Sequence, residues 1–267
     1  AKDPLTDDRS FTGISASLGE ATPFGLPDAF ALKLSNAFVK VNSASSVTTP
    51  TLAPLTWATQ VTVTDAASPG VSILGVPLEL TGDIALQAGG TLEVLIAPVV
   101  YLKATAVFTS YPSLTINDGT TAQAGETVGP LTNASLLTIE LTNTTLFAGV
   151  GAPASIDDVD SFDPLTDGTG FVIQNANLAL ALVAEDQMAT TPRSWVAVKG
   201  GLDVVGIVGL DGFGLGVYDL SFLYSGAAAD GTKLDWDAIA ETQTLFTVQD
   251  DLGADVDTDY TTLDYSV

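Results

Sequence analysis

Alternation constrains this chain more than any other feature. Apolar and polar residues trade places in "ALKLSNAFVKV" (31–41), "TQVTVT" (59–64), "LELTGDIAL" (78–86) and "LTIELTNTTLF" (137–147). They do so again in "NLALALV" (177–183), "WVAVKG" (195–200) and "LGVYDLSFLY" (215–224). A period of two sends successive side chains to opposite faces of a strand, so each segment predicts a strand with one buried and one wet face. Thr fills many outward positions, where a β-branched hydroxyl sits well on a pleated surface. Turn signals separate the segments: "SPG" at 68–70, "AGG" at 88–90, "NDG" at 117–119 and "ADG" at 229–231. Helical spacing is confined to "WDAIAETQ" (236–243), with Asp235 placed as its N-cap. The 267 residues, 46% of them hydrophobic, can build one large all-β domain or two ordinary ones.

The pentapeptide "DPLTD" occurs at 3–7 and again at 163–167, 160 positions on (163 − 3). Further features follow in matching order. Ser35-Asn36-Ala37 answers to Gln174-Asn175-Ala176, and Trp57, after a Pro-containing loop, answers to Trp195. "VSILGVPLELTGDIAL" from Val71 answers to "VGIVGLDGFGLGVYDL" from Val205. The order predicts two diverged copies of one β-unit, residues 1–160 and 161–267. The first copy is the longer, and its extra stretch near 10–30, with "GEATPFGLPDAF", reads as a loop insertion. The expected architecture is an elongated, largely antiparallel sandwich or solenoid-like rod. Its last strand would be "DYTTLDYSV" (259–267), placed to pair with a neighbouring unit or another chain.

Charge removes several function classes. Eight Lys and Arg face 32 Asp and Glu, a net charge of −24. Phosphate backbones and anionic lipid surfaces need cationic partners, so no nucleic acid is expected to bind. The most apolar stretch, "VLIAPVVYL" (94–102), is far shorter than the roughly 20 residues of a membrane-crossing helix, so no membrane span is expected. There is no His and no Cys. That excludes a Ser-His-Asp triad, a cysteine nucleophile and a His- or Cys-ligated zinc. Paired carboxylates remain for glycoside chemistry. Glu79 and Glu93 flank strand-like segments and are the pair to consider, though both read first as solvated strand positions. No catalytic residue is assigned, and the chain is not expected to be an enzyme.

Aspartate clusters are the sharper signal. "DDVDSFDPLTDG" carries Asp157, Asp158, Asp160, Asp163 and Asp167. "DPLTDD" carries Asp3, Asp7 and Asp8, and "DDLGADVDTD" carries Asp255, Asp257 and Asp259. Ca²⁺ takes six to eight oxygens from flexible loops, and closely spaced carboxylates can supply them. None of the three has EF-hand spacing. They are read either as calcium ligands, the 157–167 loop first, or as solvated acidic linkers. The Gly-rich "GIVGLDGFGLG" (206–216) runs into the strand-like "VYDLSFLY" rather than a helix, so it reads as strand and turn, not as a nucleotide loop.

The stretches "NANLALALVAEDQ", "RSWVAVKG" and "VGIVGLDGFGLGV" resemble a tandem-repeat unit of giant extracellular adhesin-like surface proteins of aquatic bacteria. "SLTINDGTTAQAGETVGPLTNASLLTIELTNTTLFAGVGAP" resembles the segment that precedes it in that unit. The likeness covers about residues 98–235 and carries no catalytic signature. It implies an extracellular or cell-surface structural role, as an adhesin stalk, filament or surface-layer subunit, with self-association between copies. The rival expectations are a secreted carbohydrate-binding or carbohydrate-active protein, and a lipid-holding β-groove.

Overall fold

The computed structural model describes residues 7–23, 25–27, 29–49, 52–61, 72–73, 76–116, 130–186, 188–234 and 236. The chain is all-β, and eight of its strands form one antiparallel sheet that stays open. In chain order the strands are β1 (Ser10–Ala21), β2 (Phe30–Ser45), β3 (Ser72–Ile73), β4 (Val76–Pro77) and β5 (Leu86–Ile96). There follow β6 (Val100–Ile116), β7 (Leu131–Val150), β8 (Thr169–Ala184), β9 (Ser194–Leu210) and β10 (Phe213–Gly226). The spatial order β1-β2-β5-β6-β7-β8-β9-β10 is a meander, with the small β3–β4 hairpin set between β2 and β5. Short connections make the meander the simplest way to pair consecutive strands.

Side chains alternate as the sequence predicts, but the faces differ from the expectation: in mid-strand the buried set includes Thr109, Thr138, Glu93 and Glu140, while Leu92 and Leu182 on the outer face are exposed. The inner face carries the buried apolar residues in two clusters at opposite ends of the long strands. One gathers Tyr111, Leu114, Ile116, Leu136, Val183, Trp195 and Trp236. The other gathers Leu95, Tyr101, Phe147, Ile156 and Val159. Loops after β10 and the 3-10 turn Ile156–Ser161 close these ends over the sheet. Between them the inner face is polar and still buried: Glu93, Thr109, Thr138 and Glu140 are all under 5% exposed.

A seam crosses the middle of the sheet. Asn36 in β2, Asn143 in β7, Asn175 in β8 and Asp219 in β10 all have φ near 50°. The pairing register shifts beside Asn36 and Asn143, as expected of β-bulges. Asn and Asp tolerate this left-handed geometry better than other non-glycine residues. An extra residue flips the alternation. In β7 the inner residues are Leu136, Thr138 and Glu140 before the seam and Phe147 after it.

Two local expectations change, at residues 10–21 and at Trp57. Residues 10–21, expected within a loop insertion, form strand β1 and pair along β2 from Ser10↔Ser45 to Ala21↔Leu34. Both prolines of that stretch, Pro23 and Pro27, follow it. Trp57, matched in sequence to the strand residue Trp195, begins a single helical turn, Trp57–Gln60. The sheet passes through the 160/161 boundary without a break, since β7 and β8 pair from Ser135↔Ala184 to Val150↔Thr169. The 206–216 segment is the β9–β10 hairpin, turning at Asp211-Gly212 with Gly212 at φ 74°. The expected helix at 236–243 and last strand at 259–267 lie outside the described residues, except Trp236, which is fully buried.

Candidate functional site

The aspartates of 157–167 fold back on their own chain. Asp157 and Asp158 occupy the first turn of the 3-10 segment, where Ser155 caps the Asp157 N–H. Asp160 lies 3.7 Å from the Lys103 ammonium. Asp163 accepts from the Leu165 N–H, and Asp167 accepts from the Asp163 N–H and the Thr166 hydroxyl. These bonds tie a turn rather than open a cage.

At the other acidic segment Asp7 takes a forked pair of bonds from Arg9, at 2.8 Å each. Asp8 accepts from the Ser46 and Thr48 hydroxyls and from the Val47 and Thr48 N–H groups. The Ser46 hydroxyl, then the Thr48 donors, pull the Asp8 carboxyl down to about 2. Asp3, Asp255, Asp257 and Asp259 lie outside the described residues. Among the described residues no three carboxylates converge on a point where a cation could sit. Asp7, Asp8, Asp163 and Asp167 each accept hydrogen bonds from their own chain.

Glu79 and Glu93 do not share a groove. Glu79 is exposed in the segment between β4 and β5, on a small cleft of about 90 Å³ that it lines with Lys40, Asn42 and Gln87. Glu93 is buried in β5 between two cations: Lys103 lies at 2.8 Å and Lys33 at 3.8 Å, and Lys33 also reaches Glu20 at 3.5 Å. Lys33, Glu93 and Lys103 are direct cross-strand neighbours on β2, β5 and β6. The row is a structural ion network, because both Glu93 oxygens are spent on its neighbours.

A larger cleft, about 460 Å³, opens at one end of the sheet, lined in part by Asn42, Asp83, Asn133 and Asp186. Asn133 is engaged by Ser113 at 3.3 Å and reaches Asp186 at 3.5 Å. The cleft is mixed in character, with Leu52, Pro54 and Met188 lining it beside Asp83 and Asp186.

The surface least satisfied by the chain itself is strand β10. Every residue from Phe213 to Tyr224 is exposed, on both faces. Leu215 is 59% exposed, Phe222 51% and Tyr224 57%. Among the described residues β10 pairs with β9 alone, so its other edge presents an open row of backbone donors and acceptors. Alternation marks "LGVYDLSFLY" as a strand, but from sequence one of its faces is expected in a core. Its place at the end of the meander leaves it, among the described residues, with β9 as its one neighbour and both faces exposed. The seam residues were also missed, although "LSNAF" and "LTNTTLF" show the signal: an Asn where the apolar parity reverses.

No protein-family profile, curated protein or solved structure matches this chain.

Proposed function

We propose that the chain is a structural β-scaffold of the extracellular or cell-surface kind, working through association with further copies of itself. The observation that carries this reading is β10, a 14-residue edge strand with apolar side chains exposed on both faces. Long, flat, apolar edges template pairing, and monomeric proteins blunt them with Lys, Pro or a covering loop. β10 contains neither Lys nor Pro. The chain's charge of −24 favours solubility of such a surface and works against collapse onto random partners. Absence of Cys suits a protein with no use for thiol chemistry outside the cell.

Sedimentation over a wide concentration range, with electron microscopy of the most concentrated sample, tests the reading. Discrete oligomers or fibres are expected. A monomer at every concentration would overturn it.

A second reading has one observation in its favour. The outer face is apolar from Ile14 to Phe222, and the strand cations and glutamates Lys33, Lys103, Glu93 and Glu140 stand on the inner one. Such a face can hold lipid. Native mass spectrometry of the purified chain separates the two, since bound lipid adds defined masses to a monomer.

A further inference from the structure

We infer that the open edge of β10 pairs with the open edge of β1 of a second copy, antiparallel and head to tail, with Asp219 opposite Gly19. The inference rests on the scaffold reading above and gives it a partner and a register.

Strand direction comes first. All seven neighbouring pairs of the eight-stranded sheet are antiparallel. An even number of strands makes β1 and β10 run in opposite senses. A second copy placed beside the first, by translation across the sheet, lays its β1 antiparallel to β10 and keeps inner face with inner face. The meander then continues without a change of pattern.

Register follows from the seam. Within one chain it passes from β10 to β9 at Asp219 and Asp203, which stand between the pairs Tyr218↔Val204 and Leu220↔Leu202. At the far side it leaves the sheet where Asn36 stands opposite Gly19, between the pairs Leu18↔Ala37 and Glu20↔Ser35. Continuing the seam from one copy to the next sets Asp219 against Gly19. A one-residue slip would turn every side chain to the wrong face.

That register was chosen on the seam alone, yet it matches side chains along both strands. Leu220 meets Leu18, Phe222 meets Ala16 and Tyr224 meets Ile14, all on the outer face. Exposed apolar area on each strand is thereby covered by the other: Ile14 is 49% and Leu18 45% exposed, against 44% for Leu220 and 57% for Tyr224. On the inner face Ser221 meets Ser17. No like charges oppose, because Asp219 faces a glycine and Glu20 faces Tyr218. Pairing β10 with β10 by the same seam rule would set Asp219 against Asp219, a like-charge contact in the centre of the strand. A heterologous contact of this kind repeats, and grows into a ring or an open fibre.

The chain has no cysteine, so a disulfide reports the contact cleanly. Leu18→Cys and Leu220→Cys are made as separate proteins; both sites are exposed, and circular dichroism checks that the fold is kept. Mixed and oxidised mildly, they are expected to give a covalent heterodimer as the main product. Leu220→Cys mixed with Ile14→Cys is the off-register control. Its sulfurs would be set about 13 Å apart along the strand, beyond disulfide reach, and a several-fold lower yield is expected. Equal yields in the two mixtures overturn the register. Rapid dimerisation of Leu220→Cys with itself overturns the head-to-tail contact. So does a Leu18→Cys/Leu220→Cys double variant that closes within one chain. In the first two cases association of the unmodified chain still stands; closure within one chain removes the free edge and the scaffold reading with it. Sedimentation as a monomer throughout removes the inference and the scaffold reading together.

Discussion

The Trp57 indole N–H donates to the Asn42 side-chain oxygen at 2.8 Å, and the Asn42 amide donates to the carbonyls of Leu55 and Thr81 at the same distance. One amide, 2% exposed, therefore joins β2 to the helical turn and to the segment before β5. Across the ladder from Asn42 is Gly13, and a Cβ there would stand 2.8 Å from the Trp57 ring and 2.9 Å from Leu80. The glycine leaves the space that the indole fills, and the asparagine holds the indole in it.

Asn42→Ala is expected to destabilise the chain by about 2 kcal/mol, because it removes the partner of the Trp57 N–H and of the Leu55 and Thr81 carbonyls, all in part-buried bonds. Gly13→Ala is expected to cost about 1–3 kcal/mol through overpacking against backbone-anchored neighbours. Urea unfolding followed by tryptophan fluorescence reads both. A loss below about 0.5 kcal/mol in Asn42→Ala would show that the loop is held by other contacts.

The Lys33–Glu93–Lys103 row makes the next prediction. Glu93→Gln keeps the shape and removes the charge between two ammonium groups. A loss on the order of 2 kcal/mol is expected, below the roughly 3–5 kcal/mol of fully buried pairs because Lys103 reaches solvent. Lys103→Met should cost less than Glu93→Gln, since Lys33 still faces the carboxylate. The reverse order of the two losses would mean that the ammonium, not the carboxylate, is the member most dependent on its partner.

Asp8 links stability to acid. Its carboxyl is held near 2 in the folded chain against an ordinary 3.8, chiefly by the Ser46 hydroxyl. A depressed folded value means that the contribution is present above about 3.8 and is lost as pH falls toward 2. The tether between the start of β1 and residues 46–48 should therefore weaken in that window. Asp8→Asn should flatten the acid limb of a melting-temperature profile over pH 4 to 2, relative to the parent, and change it little at pH 7 beyond a constant offset. Parallel profiles for the two proteins would remove Asp8 as the cause.

Tyr111 works at the other end of the scale. Burial, with Asp83 and Glu140 adding to it, pushes its hydroxyl up to about 12. Stability from keeping it neutral is full below the ordinary value of 10 and is lost as pH rises toward 12. Tyr111→Phe should reduce the alkaline loss, read by absorbance of tyrosinate against circular dichroism. Tyr101 is raised too, mainly by burial.

What the sequence disclosed and what it withheld differ by range. Alternation in "NLALALV" and "WVAVKG" placed β8 and β9, because period two is a property of neighbouring residues. The face that each strand buries was not readable in this way: in "LTIEL" the buried residues are Thr138 and Glu140, and in "NLALALV" Ala181 is buried while Leu182 is exposed. Nor was the Glu93 pairing: Lys33 lies 60 positions before Glu93, and only the β2–β5 register brings them together. The aspartates of 157–167 show a different limit. Their spacing resembles a ligand loop, but nearby backbone N–H groups and the Thr166 hydroxyl compete for the same oxygens, and local donors need no ion to be ordered.

The last prediction concerns the edge. Leu220→Lys places a cation on the outer face in the middle of β10, where Leu220 is 44% exposed and contributes little to either core. The monomer should keep its fold and lose at most about 0.5 kcal/mol, as surface changes do. A lysine at an unpaired edge is a recognised device against strand addition, since its charge is desolvated when another strand arrives. Opposite Leu18 of a second copy it would meet an apolar side chain and no carboxylate. The concentration for half-association, by sedimentation, should rise at least about tenfold, equivalent to about 1.4 kcal/mol at the contact. Phe213→Lys, at the β9–β10 turn and beyond the matched register, should raise it far less. If the two lysines weaken association equally, net charge rather than a strand contact governs it, and the edge is not the surface through which the copies meet.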